Sequence, residues 1–218
     1  MLRNISRPRT KWPQLLSDNK FAFEMVTLKN GDAIFLTDPS LILINIKGIL
    51  SVTKKYITNQ ASIVSFSTSN TVLYYKTNKT ICFHKVQALT NTDLLVLSNQ
   101  DCVHNSILLS YFQKIELYTL QLQLLDLEYW LAIFTQNTIK KRLVVFVLSL
   151  SQLFGHSSKH GIEIDICLSH AYIAEILCTT RITITRSLKE LKRESLFVNQ
   201  KQIIVADPIS LANKVLKN

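Results

Sequence analysis

The stretch from Leu168 to Leu191, LSHAYIAEILCTTRITITRSLKEL, decides how this chain is read. Ser169 is placed to cap a first helix running to about Leu177, its hydroxyl accepting a backbone N–H. Ile173, Ala174 and Leu177 then form one inward face. Thr179 or Thr180 caps a second helix, in which Ile184, Leu188 and Leu191 recur at spacings of four and three and form a buried stripe. Ala174 is small where two helices cross, Cys178 falls at the turn, and Ile184 fills the gap between the helices. A small residue, a turn and a β-branched residue at this spacing make the helix-turn-helix pattern. The turn favours Gly because its backbone is left-handed, so Cys178 costs about 1 kcal/mol there.

On a helical wheel Ile182, Arg186 and Lys189 lie opposite the Ile184/Leu188 stripe, and Arg181 sits in the first turn beside Thr180. Such a helix presents its N-terminal residues to base edges in the major groove. An Arg can bond guanine O6 and N7 together, and an exposed Ile can touch a thymine methyl. Thr180, Thr183 and Lys201 suit phosphates, which set register rather than sequence. Ser169, Thr179 and Thr185 complete the candidate DNA-contacting set. After Glu194, two short apolar runs, Leu196–Val198 and Ile203–Val205, flank Asn199-Gln200-Lys201 and read as a β-hairpin, the wing that follows a recognition helix. The plain alternative is a solvated helix face with two arginines. The spacing, the wing and the local charge favour DNA.

That charge is +10 over 218 residues, from 25 Lys plus Arg against 15 Asp plus Glu. From Gln136 onward there are 12 basic and 6 acidic residues, so the C-terminal part is the more basic per residue. A basic surplus speaks for nucleic acid or an acidic membrane surface as partner. No apolar run reaches the roughly 18–20 residues of a membrane span, so no membrane partner is expected. Hydrophobic residues at 47% exclude general disorder. Cys82, Cys102, Cys167 and Cys178 form no CxxC pair, and no His stands at zinc-finger spacing from them, so no metal site is expected. His84, His104, His156, His160 and His170 form no ligand cluster, and no nucleophile–base pair or phosphate-cradling glycine loop is evident, so no enzyme is expected.

Upstream, Phe21 to Leu97 reads as many short strands, among them Ala33–Leu36, Leu41–Ile46, Ile49–Thr53, Ile63–Phe66, Val72–Tyr75, Ile81–Phe83 and Leu94–Leu97. Polar turn clusters separate them, which predicts an all-β sandwich or barrel. From Ser106 to about Gln136 there is no Gly or Pro, and Leu117, Leu120, Leu124, Leu127 and Leu131 recur at threes and fours. That is an a/d-type stripe on one long helix. Leu122, Leu125, Trp130 and Ile133 widen it, so one face can pack on its own domain and the other on a twin helix. Burial wholly within its own domain is the alternative. Lys140 to Phe154 reads as an apolar helix stopped by Gly155, His156 to Gly161 as a loop, and Ile162 to Cys167 as a strand. Met1 to Ser17 holds Arg3, Arg7, Arg9 and Lys11 and no acid; it faintly resembles a transit peptide, but Pro8 and Pro13 favour a disordered basic arm. The expected division is a basic arm (1–20), a β-domain (21–105), a dimerisation helix (106–137) and a winged helix-turn-helix (138–218).

The C-terminal third, RLVVFVLSLSQLFG (Arg142–Gly155), GIEIDICLSHAYIAEIL (Gly161–Leu177), TTRITITRSLKEL (Thr179–Leu191) and KQIIV (Lys201–Val205), resembles the Crp/Fnr superfamily. Within it the chain is most similar to the cyanobacterial global nitrogen regulator and its plastid-encoded relatives in red algae. The similarity continues in weaker register through KNGDAIFLTDP (Lys29–Pro39) and IKGIL (Ile46–Leu50). The resemblance implies an α+β chain: an N-terminal β-roll of the cyclic-nucleotide-binding jelly-roll type, a long dimerisation helix and a C-terminal winged helix-turn-helix. It implies a homodimer that binds palindromic double-stranded DNA of the GTA…TAC type, recruits RNA polymerase and controls nitrogen-responsive genes. The family's base-reading Arg falls on Arg186, with a second contact on Arg181. The family's 2-oxoglutarate pocket falls on Cys82, Gln123 and Glu128, of which only Glu128 keeps the family's residue type. Without cations at Cys82 and Gln123, 2-oxoglutarate is expected to bind weakly or not at all, so no cofactor is assigned. The family's cyclic-nucleotide phosphate cassette and an N-terminal iron–sulfur cysteine cluster are missing. With few glycines and many Ile, Leu, Lys and Asn residues, the resemblance favours the plastid stroma over a bacterial cytoplasm. The rival reading is a ligand-binding or protein-interaction module whose helix-turn-helix is only structural.

Overall fold

The computed structural model describes residues 12–18, 20–38, 40–58, 61–73, 82–98, 106–192, 196–198 and 203–216. The chain divides into two compact units, 1–127 and 128–218.

Among the described residues the first unit is an eight-stranded roll with two helices. One sheet has the order β1-β8-β3-β6, where β1 is Glu24–Leu28, β8 Thr92–Ser98, β3 Leu41–Lys47 and β6 Thr71–Leu73. The other has the order β2-β7-β4-β5, with β2 Ala33–Leu36, β7 Cys82–Ala88, β4 Leu50–Tyr56 and β5 Ala61–Ser67. All pairings are antiparallel. Between the sheets lie Leu28, Leu36, Leu43, Leu50, Val52, Leu73, Val86, Ala88 and Leu94. A second core, with Ile42, Ile44, Val72, Leu95 and Leu97, receives Trp12 and Leu16 from helix α1 (Trp12–Asp18) and Phe112 and Ile115 from helix α2 (Ser106–Phe134). This explains why β3 is apolar at nearly every position. A strand covered on both faces has no solvent side on which to alternate. The sheet β2-β7-β4-β5 carries Lys54, Lys55 and Lys85 and no Asp or Glu.

Helix α1 corrects the expected disordered arm over 12–18. Pro13 stands in its first turn, where a missing N–H costs nothing, and Trp12 and Leu16 are fully buried, with the Trp12 ring 5.3 Å from that of Phe112. The long helix α2 is held on the roll by polar bonds as well as apolar packing. Asp126 is buried and its Oδ2 accepts the Phe66 backbone N–H at 3.1 Å. The Thr119 hydroxyl accepts the Val72 N–H at 3.3 Å. Leu117, Leu120 and Leu124 lie on the opposite, exposed side of this part of the helix.

The second unit opens with the last residues of α2. Trp130 packs on Phe146 with ring centroids 6.1 Å apart, Ile133 is buried, and Leu131 is exposed. Helix α3 (Ile139–Phe154) is capped by the Thr138 hydroxyl and ends at Gly155. The segment 156–161, expected as a loop, is corrected: β9 (Gly155–Ser158) pairs with β10 (Gly161–Ile164) across a tight turn. Its polar, exposed side chains carry no alternation, and only the pairing makes it a strand. The expected strand 162–167 is likewise shorter, ending at Ile164. Helices α4 (His170–Ile176) and α5 (Arg181–Lys192) follow, then the hairpin β11 (Leu196–Val198) and β12 (Ile203–Val205), and helix α6 (Pro208–Leu216), whose N–H groups at Ile209 and Ser210 bond the Asp207 carboxylate. The sheet order is β11-β12-β10-β9. Gly161 has φ +126°, and a Cβ there would collide with the Val205 carbonyl, so only Gly lets β12 lie against β10. Among the described residues no helix is long and apolar enough to cross a membrane.

His84, on the inner face of β7, is buried, and burial, helped by nearby Lys54, lowers its pKa from 6.5 to about 4. The unfolded chain therefore takes a proton below pH 6.5 that the folded chain refuses until about 4. The contribution of His84 is fully present above that window and lost as pH falls through it. Urea midpoints measured from pH 7.5 to 4.5 should fall, and His84→Gln should flatten part of that fall; an unchanged slope would assign the acid sensitivity elsewhere.

Candidate nucleic-acid interface

Helices α4 and α5 meet through Ile173, Ala174, Ile176, Ile184 and Leu188, all buried. The Ser169 hydroxyl accepts the Tyr172 N–H at 3.1 Å and so caps α4. The Thr180 hydroxyl accepts the Thr183 N–H at 3.2 Å and so caps α5. Between the helices Cys178 has φ +53°, the left-handed turn that the motif requires, and its N–H and that of Thr179 close the end of α4 onto Glu175 and Ala174 carbonyls. Among the described residues it is one of three non-glycines with positive φ, the others being Lys20 and Asn70.

The outer face of α5 presents Arg181, Ile182, Arg186 and Lys189 to solvent. Ile182 is 64% exposed while Ile184, two residues on, is fully buried. The first helical turn is partly self-satisfied. Thr180 and Thr183 hydroxyls bond each other at 2.9 Å, which leaves one hydroxyl proton between them for an outside acceptor. Thr185 Oγ1 donates to the Arg181 carbonyl at 2.9 Å and lies 3.0 Å from His170 Nδ1. His170 was read from the sequence only as a first-turn residue. Its tie to Thr185 spans 15 residues and leaves no periodic trace. Thr179 is half-buried, and Lys201 lies outside the described residues, although the strands that flank it pair with Val198 opposite Ile203.

Of the residues placed in an effector pocket, Cys82 is buried at the start of β7, paired with Tyr56, and Gln123 is half-buried on α2; both belong to the first unit. Glu128 is exposed and opens the second. Among the described residues no group of three or more His, Cys, Asp or Glu could hold a metal.

The β-roll, the long helix and the winged helix-turn-helix follow one another along the chain in the order that the sequence resemblance implies. Residues 141–214 of the chain fit the Crp-like helix-turn-helix domain. Its relatives include the global nitrogen regulator of Synechococcus elongatus, 27% identical over 98% of this chain and 99% of that protein, and the HTH-type transcriptional regulator ycf28 of Porphyra purpurea, 25% identical over 93% and 86%. Among solved structures, CooA from Carboxydothermus hydrogenoformans superposes with a TM-score of 0.71 over 94% of this chain and 96% of that one at 18% identity. Both relatives are named as regulators.

The cost of the left-handed Cys178 is testable. Cys178→Gly should raise the unfolding free energy by about 0.5–1 kcal/mol, since relief of the Cβ clash outweighs the greater unfolded-state freedom of Gly. Guanidinium melts of the two proteins side by side check this, and a destabilised variant contradicts the strained-turn account.

Proposed function

We propose that the chain acts as a homodimer that binds palindromic duplex DNA of the GTA…TAC type and, through RNA polymerase, regulates nitrogen-responsive genes in the plastid stroma. The observation that carries the reading of DNA is the solvent-facing side of α5. A large apolar residue, Ile182, stands in water between two arginines in the first turn and a half of the helix. Nothing within its own unit needs that arrangement. A major groove does, because an aliphatic side chain meets a thymine methyl while a guanidinium takes a guanine edge. Arg186→Ala should cost about 1–3 kcal/mol per half-site and relax preference at one base pair, measured by fluorescence anisotropy against specific and scrambled duplexes. Equal losses on both duplexes would remove Arg186 from the base-reading set.

The dimer rests on α2. Leu117, Leu120, Leu124, Leu127 and Leu131 are all exposed, in a row, on a helix whose other side is buried. A second copy of the same stripe is the occupant that matches it in length and chemistry, by coiled-coil packing of a/d residues. Leu120→Lys together with Leu127→Lys should give a monomer that binds a palindrome far more weakly. Sedimentation at micromolar concentration measures this, and a monomeric unmodified chain would sink the dimer.

Nitrogen control is carried over from the names of the cyanobacterial relatives, and the plastid from the red-algal one. The composition, with only 4 glycines, suits an AT-rich genome. Cys82 and Gln123 offer a buried dicarboxylate no cation, which leaves its charge uncompensated. Calorimetry should therefore show 2-oxoglutarate binding weakly or not at all, with DNA affinity unaffected; micromolar binding that tightens the DNA complex would restore the effector.

A further inference from the structure

Arg186 stands on the exposed face of α5, and among the described residues none is joined to it by a hydrogen bond or an ion pair. A guanidinium that is to take two atoms of a guanine edge must reach DNA with its donors unspent. Yet α5 carries one carboxylate, Glu190, four residues further on, and it too is exposed. Residues at i and i+4 of a helix are neighbours, so Glu190 is the partner that the helix itself offers Arg186.

A residue from outside α5 decides that competition. Lys140, on helix α3, places its Nζ 3.8 Å from Glu190 Oε2, with 34% of the lysine side chain and 63% of the glutamate side chain exposed. Helices α3 and α5 belong to the same unit and pack on each other. The position of Lys140 does nothing for α3 alone. Lys140, Lys141 and Arg142 stand in the first turn of that helix, where the positive end of the helix dipole disfavours cations, and no acid in that turn offsets them. Arg142 Nε donates to the Gln136 carbonyl at 2.9 Å, and Lys140 faces the carboxylate of α5.

We infer that Lys140 is a positioning residue for base reading: by holding Glu190 towards α3 it keeps the Arg186 guanidinium free for a base edge. This rests on the reading of Arg186 proposed above. Without Lys140 the carboxylate would turn to Arg186, and that pair would have to break each time the guanidinium takes a base. A duplex without the right base makes no such demand on Arg186, so its binding would suffer less. The mark of the role is therefore a loss of preference rather than a uniform loss of affinity. A lysine that itself touched a phosphate would behave in the opposite way, since phosphates carry no sequence. An exposed ion pair is weak, so the effect is small, about two- to fivefold per half-site.

The test uses the full chain, with fluorescence anisotropy at one pH and one salt concentration on a GTA…TAC palindrome and a scrambled duplex. Lys140→Met should lower the ratio of the two affinities by about two- to fivefold per half-site. Lys140→Arg should keep the ratio. Lys140→Met combined with Glu190→Gln, which has the net charge of the unmodified chain, should restore it. In an Arg186→Ala background, Lys140→Met should leave the ratio where Arg186→Ala alone puts it. An unchanged ratio in Lys140→Met overturns the inference. So does an equal weakening on both duplexes, or a loss that Glu190→Gln does not recover. If the unmodified chain has no preference for the palindrome, or Arg186→Ala leaves that preference intact, the reading of Arg186 falls and this inference with it. A preference that depends on Arg186 but not on Lys140 removes only the positioning role.

Discussion

Two polar side chains buried on the long helix, Thr119 and Asp126, accept backbone N–H groups from β6 and β5. Apolar packing alone leaves a helix some freedom to roll about its axis, because one leucine surface is much like another. A hydrogen bond of defined length does not. Both acceptors are buried and both bond strand N–H groups, so rolling the helix would break these bonds as well as apolar contacts. That fixes which residues of the helix look outward. The exposed row from Leu117 to Leu127 is thus a consequence of what the other side is bonded to.

The same economy governs α5. Ile182 and Ile184 are chemically the same and two residues apart, yet one is in water and the other fully buried. A rise of 100° per residue puts them on different sides, and the tight approach of α4 at Ala174 leaves room for only one of them inside. The turn that allows this approach needs a left-handed residue, and Cys178 supplies it at a conformational cost. The Ser169 and Thr180 caps offset part of that cost by satisfying N–H groups at the two helix starts.

Much of this was legible in the sequence. Both caps, the left-handed turn, the Ile184 plug, the exposed Ile182 and the wing hairpin all follow from residue type and spacing, because each is a local rule acting over fewer than about eight residues. Short strands such as Ala33–Leu36 and Leu41–Lys47 were legible for the same reason. What escaped was decided at long range. Pro13 reads as a breaker unless one knows that it falls in a first turn and that Trp12 has a pocket beside Phe112. Residues 155–158 are polar and exposed and become a strand only because β10 lies beside them. Asp126, one acid between Leu125 and Leu127, gives no sign of burial, and the His170–Thr185 bond joins residues whose separation matches no helical or strand period.

The lysines of the sheet β2-β7-β4-β5 gather on two neighbouring strands. Lys54 and Lys55 stand on β4 and Lys85 on neighbouring β7, where its Nζ donates to the Gln87 side-chain oxygen at 2.9 Å. Lys54 already acts on His84, whose charged form it disfavours. Dissolved ions screen that repulsion, so added salt eases the protonation of His84. In the DNA complex proposed for α5, the same ions would compete for phosphates and weaken binding through Arg181, Arg186 and Lys189. Salt would thus act twice on one chain, easing a buried protonation in the roll and opposing the DNA binding proposed for α5.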